Sequence, residues 1–427
     1  MKSLWLILWL AAAQWVGAQP NVLTLADARN TALENNWDLL AARSGVDNAT
    51  AQLIIAREFP NPTASLSTAK IGSHDAATVN GNGVWSRSYD SIAAVSQLIE
   101  IAGKRRDRQA AGRAGVLGAK ARFYDAKRTL DQGVTKAYIA VLLAMENERV
   151  LTESAGLMGH EAKIAEAQLA AGDLSAADTK TLEINAEQFE LQAKSARAAA
   201  IQARIAVEVL MGVREPRGDW TPGDSLANLM TPPAPAPSPA TQPGATRPDV
   251  LAAEADLEGS QAQLKLQQAI RIPDPIFSIG LEHEPPDTGP AANTLNFGVS
   301  FPLPLWNLNA GNIKAARAAV DQFQAALGKI RTQAAADAAT AESEYDEASQ
   351  RWQRYRDEIA PQSAKVRAAV AFQYEKGAAR LVDLLNAEQT DNTIRLALAQ
   401  AMNDTASAVA DLTAARTALT DSDLKWY

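Results

Sequence analysis

Apolar residues recur at every seventh position along two long stretches of the chain. In the first stretch, the repeat runs from Val116 to Ala165 without a polar interruption. A strict seven-residue repeat indicates helices that supercoil around their neighbours, and its many alanines let helix backbones approach closely. No proline interrupts residues 104–215. The pattern therefore predicts one helix from Lys104 to Ala171, roughly 100 Å long at 1.5 Å per residue.

A second helix is predicted to return after a turn at Gly172. It carries two apolar seams at seven-residue spacing, one from Leu182 to Leu210 and one from Ile184 to Ile205. Two seams on one helix indicate two neighbouring helices. A helix packed on both sides belongs to a wall, and a wall of helices can close into a barrel.

The same order of elements then occurs a second time. The segments 38–42, 51–53 and 60–62 match 249–253, 262–264 and 273–275 in sequence. This self-similarity indicates a tandem duplication of one unit of helices and a β-hairpin. The expected organisation is a signal peptide (1–18), a first repeat (19–213, hairpin at about 63–99), a Pro-rich connector (214–248), a second repeat (249–420, hairpin at about 276–301) and a C-terminal tail (421–427).

The strands of both hairpins have the length of tilted membrane-spanning strands, about 9–11 residues. Four strands do not close a barrel, since the smallest transmembrane barrels have about eight, so we expect oligomers with eight strands as a dimer or twelve as a trimer. Trp85 and Trp306 lie near the strand ends, where aromatic residues mark the membrane interface. The alternative is a soluble sheet with aromatic residues in its hairpins.

Composition narrows the class of protein. The chain is 47% hydrophobic but only 6% aromatic, which suits close helix packing better than a thick globular core. It has no cysteine, which excludes disulfides, thiolate metal sites and a lipidated N-terminal cysteine. Its net charge of −8 disfavours nucleic acid as a partner and favours cations in any lumen that it lines. Residues 1–18 are typical of a secretory signal, with a retained N-terminal anchor as the alternative.

A basic cluster of Lys104, Arg105 and Arg106 opens the long helix, at the end where the helix dipole disfavours positive charge. We expect a negative partner there. Lipid phosphates at the membrane surface would serve. A solvated run of charges is the alternative.

The sequence contains no catalytic constellation, so no enzymatic activity and no cofactor are expected. His74, His160 and His283 are scattered without metal-ligand spacing, although His74 and His283 lie near the ends of the first and third strands. We therefore predict no metal site.

The chain resembles the TolC-type outer-membrane efflux factors over essentially its whole mature length. The resemblance rests on the opening Leu23-Thr24-Leu25, on Pro60-Asn61-Pro62 and on two segments that follow strands, 97–105 and 301–307, within two tandem halves. The Gly-Lys-Arg at 103–105 and the Pro-Leu-Pro-Leu-Trp-Asn at 302–307 are most similar to the CzcC-type subgroup of heavy-metal exporters.

The resemblance implies a homotrimer in the outer membrane of a Gram-negative bacterium. The expected fold is mainly α with a small β part: coiled-coil helices form an α-barrel across the periplasm, continuous with a twelve-stranded transmembrane β-barrel. A periplasmic adaptor and an inner-membrane RND-type pump are the implied partners. Heavy-metal cations are the expected cargo; the alternatives are a drug or type I secretion duct, and a soluble periplasmic coiled-coil scaffold.

The resemblance also implies functional residues at the two periplasmic turns. Adaptor docking is expected at Gly172, Leu174, Gly377 and Leu381. A gate is expected from Asp178, Tyr374, Arg380 and Asp383, in which Arg380 and Tyr374 tie down an aspartate or backbone on a neighbouring helix. In the family pattern the arginine lies two residues after the glycine rather than three, and an acid occupies the position of Asn386. The alternative is that Asp178 and Asp383 only occupy first turns of helices, where the dipole favours acids.

Overall fold

The computed structural model describes residues 21–69, 90–172, 174–231, 246–284 and 292–419. The expected signal peptide, Trp85, His74 and the tail at 421–427 lie outside these residues. The helices are α1 (Leu25–Asn35), α2 (Trp37–Arg57), α3 (Lys104–Ala171), α4 (Ala176–Leu210), α5 (Leu226–Leu229), α6 (Pro248–Ala269), α7 (Ala310–Arg354), α8 (Ala360–Glu375) and α9 (Leu381–Arg416). The strands are β1 (Asn21–Leu23), β2 (Thr63–Ala69), β3 (Asp90–Leu98), β4 (Trp220–Pro222), β5 (Ile276–Glu284) and β6 (Ala292–Ser300).

The mainly helical fold with a small β part is confirmed. Helix α3 has 68 residues and the bounds that the seven-residue repeat and the absence of proline predict. It begins directly after Gly103 and ends before Gly172, both with positive φ, which glycine adopts without steric cost. Within the described ranges, none of the helices combines the length and the hydrophobicity needed to cross a bilayer.

The apolar repeat from Ile313 to Tyr355 predicts another long helix. In the structure this helix is interrupted, which the repeat does not predict. A π-helical segment, Tyr355–Ile359, separates α7 from α8. Pro361 lies in the first turn of α8, and proline has no N–H to donate to the carbonyl four residues earlier. The chain accommodates this missing hydrogen bond with wider π-helical turns just before the proline.

The chain packs as two compact units that cut across the sequence repeats. One unit comprises residues 1–40, 126–241 and 336–417, and the other comprises 41–125, 242–335 and 418–427. Each unit therefore contains parts of both repeats. The repeats are therefore units of sequence rather than units of packing, because elements of both repeats pack together in each compact unit.

The core of the first unit forms around Tyr138 on α3. Its ring is fully buried and stacks on Trp220 of β4, with ring centroids 5.9 Å apart. Its hydroxyl donates to the carbonyl of Leu23, at 2.8 Å, and lies 3.0 Å from a carboxylate oxygen of Asp224. Burial is the main cause that raises the pKa of Tyr138 to about 12. Strands β1 and β4 pair in parallel beside it, from Asn21 opposite Trp220.

The second unit contains a four-stranded antiparallel sheet in the order β2-β3-β5-β6. The two hairpins meet where β3 pairs with β5, and Leu98 lies opposite Ile276. One face of the sheet is apolar and exposed. Its exposed apolar residues are Leu66, Val95, Phe277, Ile279, Leu281, Leu295, Phe297 and Val299. The opposite face carries serine, asparagine and glutamate, as strict alternation along strands requires.

A buried ion pair joins the two repeats next to this sheet. The Nζ of Lys104, at the start of α3, lies 2.8 Å from a carboxylate oxygen of Asp274, and these side chains are 7% and 17% exposed. Lys104 also donates to the carbonyl of Ile272, and the backbone N–H of Ile101 donates to Asp274. The negative partner of Lys104 is thus within the chain, and its ammonium is buried away from any lipid phosphate.

We expect Lys104→Met to lower the free energy of unfolding by about 3–5 kcal/mol, because it leaves the buried carboxylate of Asp274 without its cation. Lys194→Met is the matched control, since Lys194 and its partner Glu190 on α4 are 68% and 61% exposed, and it should leave the free energy of unfolding nearly unchanged. Chemical denaturation of the purified protein in detergent measures both. Equal costs for the two variants would contradict a structural role for Lys104.

Candidate functional site

Two glycine turns end α3 and α8. Gly172 and Gly377 have φ values of +87° and +71°, and a Cβ at either position would meet open space. The positive φ, rather than crowding, therefore requires glycine at both turns. Each turn is followed within a few residues by the next helix, α4 or α9.

Each of the two predicted gate aspartates lies three residues after a helix N-cap. The backbone N–H of Asp178 donates to Ser175 Oγ at 3.1 Å, and that hydroxyl donates to the Asp178 carboxylate at 2.7 Å. Asp383 accepts hydrogen bonds from the backbone N–H and the guanidinium of Arg380, each at 3.2 Å. The Arg380 guanidinium lowers the pKa of the Asp383 carboxyl. Within one protomer, each aspartate is thus bound by its own helix turn.

Tyr374 lies beside the first of these aspartates. Burial, and then the negative charges of Glu161 and Asp178, raise the pKa of the Tyr374 hydroxyl. Among the described residues, this buried hydroxyl oxygen has no hydrogen-bond partner. The structure therefore brings Tyr374 near Asp178 and pairs Arg380 with Asp383, in two separate groups.

The predicted docking leucines belong to a small apolar cluster near the turns. The buried members are Ala162, Ala165, Leu182 and Leu381, and the partly buried members are Leu174, Ala186, Tyr374 and Leu385. The cluster joins the ends of α3 and α8 to the starts of α4 and α9. Leu381 packs inside this cluster, whereas Gly172 and Gly377 are exposed to solvent.

Aromatic and basic side chains lie at the other end of the helices, next to the sheet. Trp306 is 93% exposed. The guanidinium of Arg105 stacks over the ring of Phe59, 3.8 Å from the ring centroid, and also donates to the carbonyl of Arg57. These groups combine exposed aromatic surface with positive charge.

Pairing of β3 with β5 creates an acidic cluster that the sequence analysis missed. Asp90, Glu282 and Glu284 have carboxylate oxygens within 4.8 Å of one another. They are about 190 residues apart along the chain, and the predicted elements did not include a pairing between the two hairpins. Three carboxylates offer oxygen ligands of the kind that hard divalent cations prefer. His283 lies next to Glu282 on the strand but contacts Asn293, at 2.8 Å.

Comparison with known proteins identifies the architecture. The model of the family described as "Outer membrane efflux protein" matches residues 28–213 and 244–416. The chain belongs to this outer membrane efflux protein family. The match covers both tandem halves and leaves out the connector between them.

Two relatives and several solved structures are similar to this family member. The cobalt-zinc-cadmium resistance protein CzcC of Cupriavidus metallidurans is 27% identical over 369 residues, 86% of this chain and 84% of the relative. A probable outer membrane lipoprotein, SilC of Salmonella typhimurium, is 22% identical over 84% of this chain and 78% of its own. A membrane protein from Pseudomonas aeruginosa superposes with a TM-score of 0.76 at 20% identity, covering 92% of this chain and 93% of that one. The channel CusC superposes with a TM-score of 0.72 at 17% identity, covering 92% and 91%.

These comparisons confirm the resemblance to outer-membrane efflux factors and to the CzcC-type subgroup. They also confirm the fold class, because the superposed structures include outer-membrane channels. The protein is therefore an outer-membrane efflux channel component, and a soluble periplasmic scaffold does not fit its family. Members of the family are channels rather than enzymes, in agreement with the conduit that the repeats suggest.

We expect Tyr374→Phe to change the free energy of unfolding by less than about 0.5 kcal/mol, because the hydroxyl that it removes makes no hydrogen bond among the described residues. Tyr138→Phe is the matched control and should cost about 1–2 kcal/mol, because it removes the hydrogen bonds from the Tyr138 hydroxyl to the carbonyl of Leu23 and the carboxylate of Asp224. Denaturant unfolding compares them. A cost for Tyr374→Phe equal to that of Tyr138→Phe would show that the Tyr374 hydroxyl has a hydrogen-bond partner in the assembled protein, within its own chain or in a neighbouring copy.

Proposed function

We propose that three copies of this chain form the outer-membrane duct of a tripartite system that exports heavy-metal cations. The duct works with a periplasmic adaptor and an inner-membrane RND-type pump, and its helices extend into the periplasm. The observation that carries the proposal is the four-stranded sheet, with its exposed apolar face and its open edges.

The open edges require further strands. In the described part of the chain, β2 and β6 each have one sheet neighbour, so each has one edge of unpaired backbone groups. A lipid bilayer supplies no hydrogen bonds to such groups, so a sheet in a membrane must close. Three copies supply twelve strands, within the range of transmembrane barrels. Pairing of β6 with β2 of the next copy closes this barrel.

The exposed face of the sheet suits lipid. A contiguous apolar face on a sheet marks a membrane or protein contact rather than a solvated surface. Trp306, Arg105 and Arg106 lie beyond the strand ends, where aromatic rings and positive charges suit the interface and the lipid phosphates. We assign Lys104 a structural role instead, because its charge is already paired with Asp274.

The cargo proposal rests on the relative named for cobalt, zinc and cadmium resistance, which aligns with 86% of this chain. Deletion of the gene from its host tests the proposal by growth on graded zinc, cobalt, cadmium and copper. A deletion strain that loses metal tolerance, and regains it from a plasmid copy, supports metal export. Normal metal tolerance with increased sensitivity to antibiotics, or with loss of a secreted protein, would favour the other ducts of this family.

We further propose that the periplasmic end is closed by a gate of Asp178, Tyr374, Arg380 and Asp383, and that the adaptor docks at the turns around Gly172, Leu174, Gly377 and Leu381. The unpartnered Tyr374 hydroxyl supports this gate, because a neighbouring copy could supply its partner. The exposed pair of Arg380 and Asp383 is weak alone. Three symmetry-related copies together bias a marginal equilibrium between closed and open ends.

We expect Arg380→Ala and Asp383→Asn to raise single-channel conductance in planar bilayers, because each removes the ion pair at the start of α9. Glu190→Gln is the control: it removes an exposed ion pair with Lys194 on α4 and should leave conductance unchanged. Unchanged conductance in both gate variants would count against the gate and leave the duct itself standing.

A further inference from the structure

A polar cluster links α3, α8 and α9 close to the glycine turns. The guanidinium of Arg367 on α8 is shared by two carboxylates of α9. It lies 3.3 Å from Glu388 and 3.3 Å from Asp391. Charge-assisted hydrogen bonds are usually about 2.7–2.9 Å long, so Arg367 binds neither acid closely.

The cluster is buried and carries more negative than positive charge. The side chains of Glu388 and Asp391 are 11% and 6% exposed. One arginine faces these two acids, and the negative charge of a third acid, Glu161 of α3, also acts on Glu388. Removing unbalanced charge from water is costly, so the cluster favours the uptake of a proton.

Glu388 is the member that takes up this proton. Ser363 of α8 donates a hydrogen bond to the Asp391 carboxylate at 2.8 Å. Burial raises the pKa of the Glu388 carboxyl, and Asp391 and Glu161 raise it further, against the opposing effect of Arg367.

A neighbouring pair on the same helices provides a contrast. Glu153 of α3 lies 2.6 Å from Arg395 of α9 and 3.3 Å from Arg149. Arg149 also pairs with Glu146, so cations and acids are balanced there, and the hydrogen bond from Arg395 lowers the pKa of Glu153. The pKa of Glu388 is thus raised and the pKa of Glu153 is lowered, because the two side chains differ in burial and in neighbouring charges.

We propose that Glu388 is a proton-sensitive switch in the packing of α8 and α9 against α3, which holds these helices together when protonated and loosens them when ionised. The inference rests on the proposed function, since it assigns a regulator to the same duct. Arg367 and Glu388 lie about ten residues from Gly377, or roughly 15 Å along their helices. Glu161 connects the switch to the gate, because its charge acts on both Glu388 and Tyr374.

The direction of the pH effect follows from proton linkage. Below the ordinary carboxyl pKa, packed and separated helices both hold the proton, and Glu388 adds no pH dependence. As the pH rises from that value through the raised pKa of Glu388, the separated helices ionise first, so the packed arrangement loses stability. The duct should therefore open more readily near neutral pH than in acid.

Conductance of the full-length protein in planar bilayers, measured from about pH 4 to about pH 8, tests the switch over the range above the ordinary glutamate pKa. Wild-type conductance should rise with pH, and Glu388→Gln should remain at the low, acidic level throughout. Glu161→Gln removes a negative neighbour and should move the midpoint to lower pH. Glu190→Gln, which removes an exposed ion pair with Lys194 on α4, is the control and should leave the midpoint unchanged.

A wild-type profile in Glu388→Gln, or a flat profile in the wild type, would overturn the switch without affecting the duct. Hydrogen exchange of peptides from α8 and α9 gives a readout that needs no conductance. At neutral pH, Glu388→Gln should exchange several-fold more slowly than the wild type, and at acid pH the two should match. Equal exchange at neutral pH would also overturn the inference. Absence of any wild-type conductance would instead contradict the proposed function.

Discussion

Close contact between small side chains on long helices is the constraint on which this structure depends. Alanines occupy many buried positions of α9, including Ala399, Ala401, Ala406 and Ala408. Each alanine buries little apolar surface, so each contact between the helices contributes little to the free energy of packing. Polar groups placed among these alanines therefore have a large relative effect on packing. The hydrogen bond between Ser154 and Asn392 and the ion cluster around Arg367 are two such polar groups.

The sequence predicted those parts of the fold that local patterns determine. The bounds of α3 follow from an unbroken apolar repeat, and both hairpins follow from strand-length segments that occur twice. Lys104 was wrongly predicted to face lipid phosphates, because a basic run at a helix start is typical of a surface. Its partner, Asp274, is 170 residues away in the sequence. The cluster of Asp90, Glu282 and Glu284 was missed for the same reason, since only the pairing of β3 with β5 brings these residues together.

The residue types of the candidate gate could be predicted from the sequence, but their hydrogen-bond partners could not. An aspartate in the first turn of a helix suits both a cap and a tie to a neighbouring copy, so sequence alone does not separate these roles. Within the protomer, Asp178 accepts a hydrogen bond from the hydroxyl of its N-cap residue, Ser175, and Asp383 accepts one from the backbone N–H of its N-cap residue, Arg380. Glu388 escaped notice because a glutamate three residues before an aspartate is typical of a solvated helix face. Its burial depends on packing against α8, across the turn, and against α3, which is distant in sequence.

The π-helical segment between α7 and α8 separates two stretches of helix that pack against different neighbours. The apolar repeat that starts at Ile313 ends at Tyr355, where the segment begins. One extra residue rotates everything downstream by about 100° around the helix axis. Before it, Leu327 packs against Val250 and Ala253 of α6, and after it α8 packs along α9. A single proline thus lets this stretch of helix exchange one set of packing partners for another without an intervening loop.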